Sequence, residues 1–296
     1  MRVKSSMMVS STLRDLSLGL GRLQKTQTRL ATGKQLTQAS DDPAAAANAM
    51  GLRKQLGHAT RRSRSLDDAR GWLETADSTL TSGLDLLAQA KQIAVQAANS
   101  GGLADPNARL ALATQIRSIR SDMLGLANTS YGNRSLFNGT TNGPAYTAAG
   151  AYVGNSGSVV RDVGPQTTMA VNITGTQVFG VAGGPVGDMF EVLDRLATAV
   201  ATGNDSAIAT EHANLDSATQ VMGAATVDIG SRAARLDGIA TRSQDEQLRL
   251  SNQLSGIEDI DPATAFVTEK QQENAYQAAL QVTAKILPPS LLDYLH

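Results

Sequence analysis

Both ends of this 296-residue chain are patterned as amphipathic helices. Near the start, Leu13, Leu16, Leu20, Leu23 and Leu30 recur at helical steps, and the run closes in Ser40-Asp41-Asp42-Pro43. At the far end Phe266, Tyr276, Leu280 and Leu287 recur before Pro288-Pro289. The chain then finishes on Leu291, Leu292, Tyr294, Leu295 and His296. Most globular chains fray into polar tails at these places. Apolar seams at both extremes predict that the ends bury against each other or against other molecules.

Composition narrows the class. Net charge is −1, which gives no bias toward nucleic acid or membrane lipid. Aromatic residues are only 3%, so the core is Leu, Ala, Ile, Val and Met, which suits long packed helices. There is no cysteine, so disulfides and thiolate metal sites are excluded. The first residues hold no apolar run of signal-peptide length, and no stretch reaches a membrane span. The expectation is export, if any, without a cleaved signal.

Along the chain, a first helical stretch covers about 11–34. A second, 66–98, carries Leu66, Ala69, Leu73, Ala76, Leu80, Gly83, Leu87, Ala90, Ala94 and Ala97 in three–four alternation. It stops at Asn99-Ser100-Gly101-Gly102, and Leu112, Ile116, Ile119, Met123 and Leu126 resume the pattern. These two stretches predict an antiparallel hairpin. From 136 to 183 the helical period vanishes, Gly, Asn and Thr are dense, and short β-favouring runs appear. One of them is Gln177-Val178-Phe179. Helix returns with Met189, Val192, Leu193 and Leu196, then with a long seam from Leu215 to Ile257. Pro262 fits the first turn of a last helix, with Asp261 as its N-cap.

The predicted fold is mainly α: an elongated antiparallel helical bundle with paired N- and C-terminal helices and a small β domain inserted mid-chain. Its parts are a terminal segment 1–45, an outgoing half 46–135, the insert 136–183, a returning half 184–258 and a terminal segment 259–296. The helices are expected to stay below about 50 residues.

Charge separates the two ends. Residues 1–34 hold seven basic residues against one acid, and residues 244–296 hold eight acids against three basic residues. Opposite charge favours pairing, but exposed ion pairs are worth only about 0–1 kcal/mol each and steer register rather than supply stability. Burial of five leucines does not offset the backbone entropy of ordering about 25 residues. The first 35 or so residues are therefore expected to be poorly ordered in a free monomer and to order only inside an assembly.

The stretch Leu23-Gln24-Lys25-Thr26-Gln27-Thr28-Arg29-Leu30-Ala31-Thr32-Gly33-Lys34 with Ser40-Asp41-Asp42-Pro43-Ala44-Ala45-Ala46 resembles the bacterial flagellin family. So do Ala94-Val95-Gln96-Ala97-Ala98-Asn99, Leu126-Ala127-Asn128-Thr129, Leu136-Phe137-Asn138-Gly139-Thr140 and the turn-strand-like Gly175-Thr176-Gln177-Val178-Phe179. The ending Ser290-Leu291-Leu292-Asp293-Tyr294-Leu295 resembles the hook–filament junction branch rather than filament flagellin, which usually closes on a Leu-Leu-Arg type end. Pro288-Pro289 and the trailing His296 depart from the pattern.

The resemblance implies a structural adaptor in the extracellular flagellum. Its partners would be a neighbouring hook-associated protein, flagellin and copies of itself in a ring-like layer, with an export chaperone at the C-terminal region. It would leave the cell unfolded through the flagellar type III channel. A divergent filament flagellin is the alternative.

Other signals are weaker. Asp41-Asp42-Pro43 reads as a helix start, with Asp42 as N-cap and Pro43 at the first helical position, rather than as a metal site. His58, His212 and His296 are far apart and have no ligand spacing, so no catalytic residue, metal or cofactor is assigned. The basic run Arg61-Arg62-Ser63-Arg64 reads as a solvated helix face or a subunit contact rather than a nucleic-acid site. The assembly seam is assigned to Leu13, Leu16, Leu20, Leu23, Leu30, Phe266, Tyr276, Leu280 and Leu287, with Leu291, Leu292, Tyr294 and Leu295 as the anchor of the end. No nucleic acid or membrane partner is assigned.

Overall fold

The computed structural model describes residues 2–99, 105–164, 167–184 and 186–286. Seven helices lie among them: α1 (Arg2–Thr32), α2 (Pro43–Asn99), α3 (Pro106–Ala127), the short α4 (Gly175–Phe179), α5 (Met189–Thr202), α6 (Asp205–Glu258) and α7 (Pro262–Ile286). Two antiparallel hairpins accompany them. Strand β1 (Ser130–Tyr131) pairs with β2 (Arg134–Ser135), and β3 (Val160–Gly164) pairs with β4 (Thr167–Ala170). The fold is mainly helical, as the periodicity predicts. No described helix is long and apolar enough to cross a membrane.

The chain divides into two compact units. One is Thr60–Asp245, and the other combines Met1–Ala59 with Glu246–His296.

Within Thr60–Asp245 the core follows the seams read from sequence. Every apolar member of the 66–97 series is buried, and so are Leu112, Ile116, Ile119 and Met123. Antiparallel pairing of α2 with α6 is marked by ion pairs Lys91–Asp216 at 2.6 Å and Arg70–Asp237 at 2.9 Å. Gly83 sits where these helices meet α3, and a Cβ there would lie 2.8 Å from Met222 Sδ and 3.6 Å from Met123 Sδ. A small residue at this heptad position lets the backbones close up. Helix α3 begins at Asp105, whose carboxylate accepts the Asn107 N–H at 2.9 Å, with Pro106 in the first turn. Arg120 ties it to Asp194 of α5 at 2.7 Å.

The segment between α3 and α5 is held by rings and arginines. Tyr146 lies 5.0 Å from Phe190 and 5.5 Å from Phe179 between ring centroids, and Phe137 lies 5.4 Å from Phe179. Arg161 of β3 pairs with Asp68 of α2 at 2.5 Å and lies over Trp72. Arg232 of α6 donates to the Ala170 and Asn172 carbonyls at 3.2 and 2.9 Å. The few aromatics of the chain are thus concentrated where helical packing ends.

Two expectations are corrected. Helices α2 and α6 run to 57 and 54 residues, past the expected limit. Their interior glycines cost roughly 1 kcal/mol each, and burial along the heptad seams outweighs that. Gln177-Val178-Phe179 is not a strand but the end of α4. Gln177 Oε1 accepts the Thr174 N–H at 3.1 Å, the return arm of a capping box. Val178 and Phe179 are both buried, which a half-buried strand of alternating faces does not provide.

Candidate assembly interface

In the other unit, α1 and α7 pair antiparallel. Thr26 meets Gln272, Gln27 meets Glu269, and a Cβ on Gly19 would lie 3.7 Å from the Tyr276 ring. The face of α1 with reduced exposure is Thr12, Leu16, Gly19, Leu23, Thr26 and Leu30, at steps of four and three. On α7 the corresponding face is Ala265, Glu269, Gln272, Tyr276 and Thr283. Both stripes have heptad spacing. The seam between the helices therefore mixes leucine with small and polar residues.

The remaining large side chains stay in solvent. Leu13 is 55% exposed, Leu20 38%, Phe266 58% and Leu280 43%. The structure thus separates the assigned leucines into two sets. Leu16, Leu23 and Leu30, with Tyr276, are half-buried in the pair, whereas Leu13 and Leu20 form a second stripe one heptad apart. On α7, Phe266 and Leu280 are two heptads apart and likewise exposed. Leu287, Leu291, Leu292, Tyr294 and Leu295 lie outside the described residues.

A knot of backbone and charge closes one end of the pair. Helix α1 stops at Gly33, whose φ of +67° is open to glycine and strained for other residues. The Ile260 N–H donates to the Gly33 carbonyl at 3.0 Å, and the Gln35 N–H donates to the Glu258 carbonyl at 2.6 Å. Lys34 Nζ lies 2.7 Å from Asp259 and 3.3 Å from Glu258. The hydrogen bond to Asp259 raises the Lys34 pKa and, reciprocally, lowers that of Asp259. Glu258 is only 3% exposed and also pairs with Arg53 of α2 at 2.8 Å. One buried carboxylate thus joins the turn after α1, helix α2 and the α6–α7 break.

The Ser40–Pro43 segment turns the chain into α2. Asp42 Oδ1 accepts the Ala44 and Ala45 N–H groups at 3.0 and 2.9 Å, with Pro43 at the first helical position. Asp41 has a different task. It pairs with Lys25 at 2.7 Å and accepts the Thr37 hydroxyl at 3.0 Å, folding the loop back on α1. The Lys25 ammonium holds its carboxyl down to about 2. Ser40 stays exposed, its hydroxyl 3.5 Å from Gln38 Oε1. At the start of α7, Asp261 accepts the Ala263 N–H at 3.0 Å.

Sequence reasoning missed Thr26, Gln272 and Glu258. The first two occupy heptad positions, and counting polar residues into the seam would have found them. The opposite charges of the two ends meet chiefly at Lys34, while Lys25 and Arg29 turn to Asp41 of their own segment.

This arrangement defines a helical structural protein whose first and last helices pair and still present apolar stripes to solvent. Its sequence matches the bacterial flagellin N-terminal helical region over residues 3–142 and the bacterial flagellin C-terminal helical region over residues 212–295. The chain belongs to the bacterial flagellin family. It is 27% identical to flagellar hook-associated protein 3 of Salmonella typhimurium, with 99% of each chain covered. It is 24% identical to flagellin of Bacillus subtilis, over 82% of this chain and 79% of that one. Among solved structures, a putative flagellar hook-associated protein from Vibrio parahaemolyticus superposes with a TM-score of 0.68 at 20% identity, covering 74% of this chain and all of that one. Bacillus cereus FlgL gives 0.59 at 19% identity, over 69% and 99%. The chain is a structural protein of the bacterial flagellum, not an enzyme.

Proposed function

We propose that the chain is the adaptor joining the flagellar hook, through a neighbouring hook-associated protein, to the flagellin filament. The observation that carries this reading is similarity to hook-associated protein 3 over 99% of both chains, ends included. Copies of the chain form a ring-like layer. Leu13, Leu20, Phe266 and Leu280 supply its contacts between subunits, while Leu16, Leu23, Leu30 and Tyr276 hold the terminal pair together. Leu287, Leu291, Leu292, Tyr294 and Leu295 extend the contact surface. The chain is exported unfolded by the flagellar type III system, guarded by a chaperone at its C-terminal region, and its ends, paired as α1 and α7 within the chain, become fully ordered on assembly.

The match to flagellin of Bacillus subtilis favours a second reading, a divergent filament subunit. Deleting the gene in the source organism separates the two. The adaptor reading predicts hooks without filaments and monomeric flagellin shed into the medium, seen by electron microscopy and immunoblot. Intact filaments on the deletion strain would overturn it.

A further inference from the structure

We propose that Asn142 is a site of spontaneous deamidation to isoaspartate, and that its conversion releases the buried Asn138 to the same reaction. The chain has two Asn-Gly pairs, Asn138-Gly139 and Asn142-Gly143, four residues apart. In such a pair the following backbone nitrogen approaches the side-chain carbonyl with little hindrance, because glycine has no Cβ.

The fold treats the two pairs differently. Asn142 and Gly143 are exposed. Gly143 has φ +101°, and a Cβ there would meet nothing within 4 Å, so nothing crowds the reacting groups. Among the described residues, neither the Asn142 amide nor the Gly143 N–H has a hydrogen-bond partner. Asn138, by contrast, is 1% exposed. Its Nδ2 donates to the Thr141 carbonyl at 3.3 Å and to the Gly143 carbonyl at 3.0 Å. Its backbone carbonyl accepts the Asn155 N–H at 3.2 Å and the Thr141 hydroxyl at 2.8 Å. The side chain is pinned, and water is kept from its amide.

The reaction needs only this chain and water. The Gly143 nitrogen gives its proton to solvent base and attacks Cγ of Asn142. An N–Cγ bond forms, the Cγ–Nδ2 bond breaks, and Nδ2 leaves as ammonia. Water then opens the cyclic imide. Opening at Cγ gives aspartate, and opening at the Asn142 main-chain carbonyl gives isoaspartate. In net terms an amide and a water become a carboxylate and an ammonium ion. In isoaspartate the chain runs through Cβ and Cγ, one methylene longer than before. That methylene falls between Thr141 and Gly143, the two residues whose carbonyls Asn138 Nδ2 holds together. The two acceptors no longer suit one amide, so Asn138 loses part of what pins it. None of this depends on the place of the chain in the flagellum.

Both asparagines fall in a single tryptic peptide, Ser135–Arg161, so single and double conversion are read directly. The purified full chain is incubated in mildly alkaline buffer and followed by peptide mapping with mass spectrometry. Labelling by an isoaspartyl methyltransferase separates isoaspartate from aspartate. Asn142 is expected to convert at least about tenfold faster than Asn138, which must wait for a local opening of the loop. Conversion of Asn138 is expected to lag and to occur on peptides already converted at Asn142. Asn142→Gln lengthens an exposed, unpartnered side chain and disfavours ring closure, and in that variant Asn138 is expected to stay slow throughout. Equal rates at the two residues of the native chain, or an unconverted Asn142, would overturn the proposal. Conversion of Asn138 as fast in Asn142→Gln as in the native chain would overturn its release by Asn142.

Discussion

Lys34 Nζ lies 2.7 Å from the carboxylate of Asp259, and their backbones form an antiparallel bridge. Two residues 225 apart in sequence thereby join the end of α1 to the start of α7. The cross-connection fixes where the terminal helices begin to pair. Its energetic centre is Glu258 beside it, because that carboxylate is buried and the Lys34–Asp259 pair is half in water.

Glu258→Ala removes the shared partner of Lys34 and Arg53. Lys34 and Arg53 remain in water once the carboxylate is gone, so the loss is that of charge-assisted contacts to one buried group, about 1.5–3 kcal/mol, against about 0–1 kcal/mol for an exposed pair. Glu258→Ala is expected to expose α1 and α7 to limited proteolysis, whereas Asp259→Ala has a small effect. Equal protease resistance of Glu258→Ala and the native chain would contradict the role given to this residue.

Asp41 sets an acid limit on the loop between α1 and α2. Its carboxyl is held to about 2 in the folded chain, below its ordinary value of 3.8. A lowered folded value stabilises the fold above the unfolded pKa, and that contribution is lost as pH falls through the folded one. Order in segment 33–42 should therefore decline between about pH 4 and pH 2. Asp41→Asn should remove that step, as read from amide exchange or carboxyl chemical shifts. An unchanged acid profile in the variant would contradict it.

Two glycines give opposite expectations. Gly139 has φ +70°, and a Cβ there would run into the Asn155 backbone carbonyl. Gly139→Ala should cost about 1–3 kcal/mol through strain and overpacking. Gly125 lies within α3, and a methyl group added there would meet nothing within 4 Å, so Gly125→Ala should stabilise by about 0.5–1 kcal/mol. Thermal melting of the two variants reads the sign.

Leu20→Asp places a charge on the outer stripe, at a position already 38% exposed. The central helices are expected to keep their circular dichroism and melting temperature, while cells carrying the variant lose filament attachment. Normal filaments in that strain would remove Leu20 from the assembly surface.

Much of the central unit was legible in the sequence. The 66–97 series, the α3 series from Leu112 to Met123 and the α5 face became core, because a heptad seam leaves little choice of buried face, while Leu126 at the end of α3 is only half-buried. The terminal helices were less legible. Leu13 and Leu20 share one stripe and Leu16, Leu23 and Leu30 another, and apolar spacing alone does not say which stripe meets α7. The polar residues Thr26 and Gln272 lie in the stripe that does, and a search for leucines passes over them. Val178 and Phe179 read as a strand because β-propensity is a weak prior, while the Thr174–Gln177 cap and burial of adjacent residues favoured a helical turn. Glu258 was hidden because its partners come from distant segments.

The most direct test of the adaptor account is immunogold labelling of the chain on flagella isolated from the source organism. The account predicts label confined to a narrow zone at the boundary between hook and filament. Label distributed along the filament, or absent from the flagellum, would contradict it.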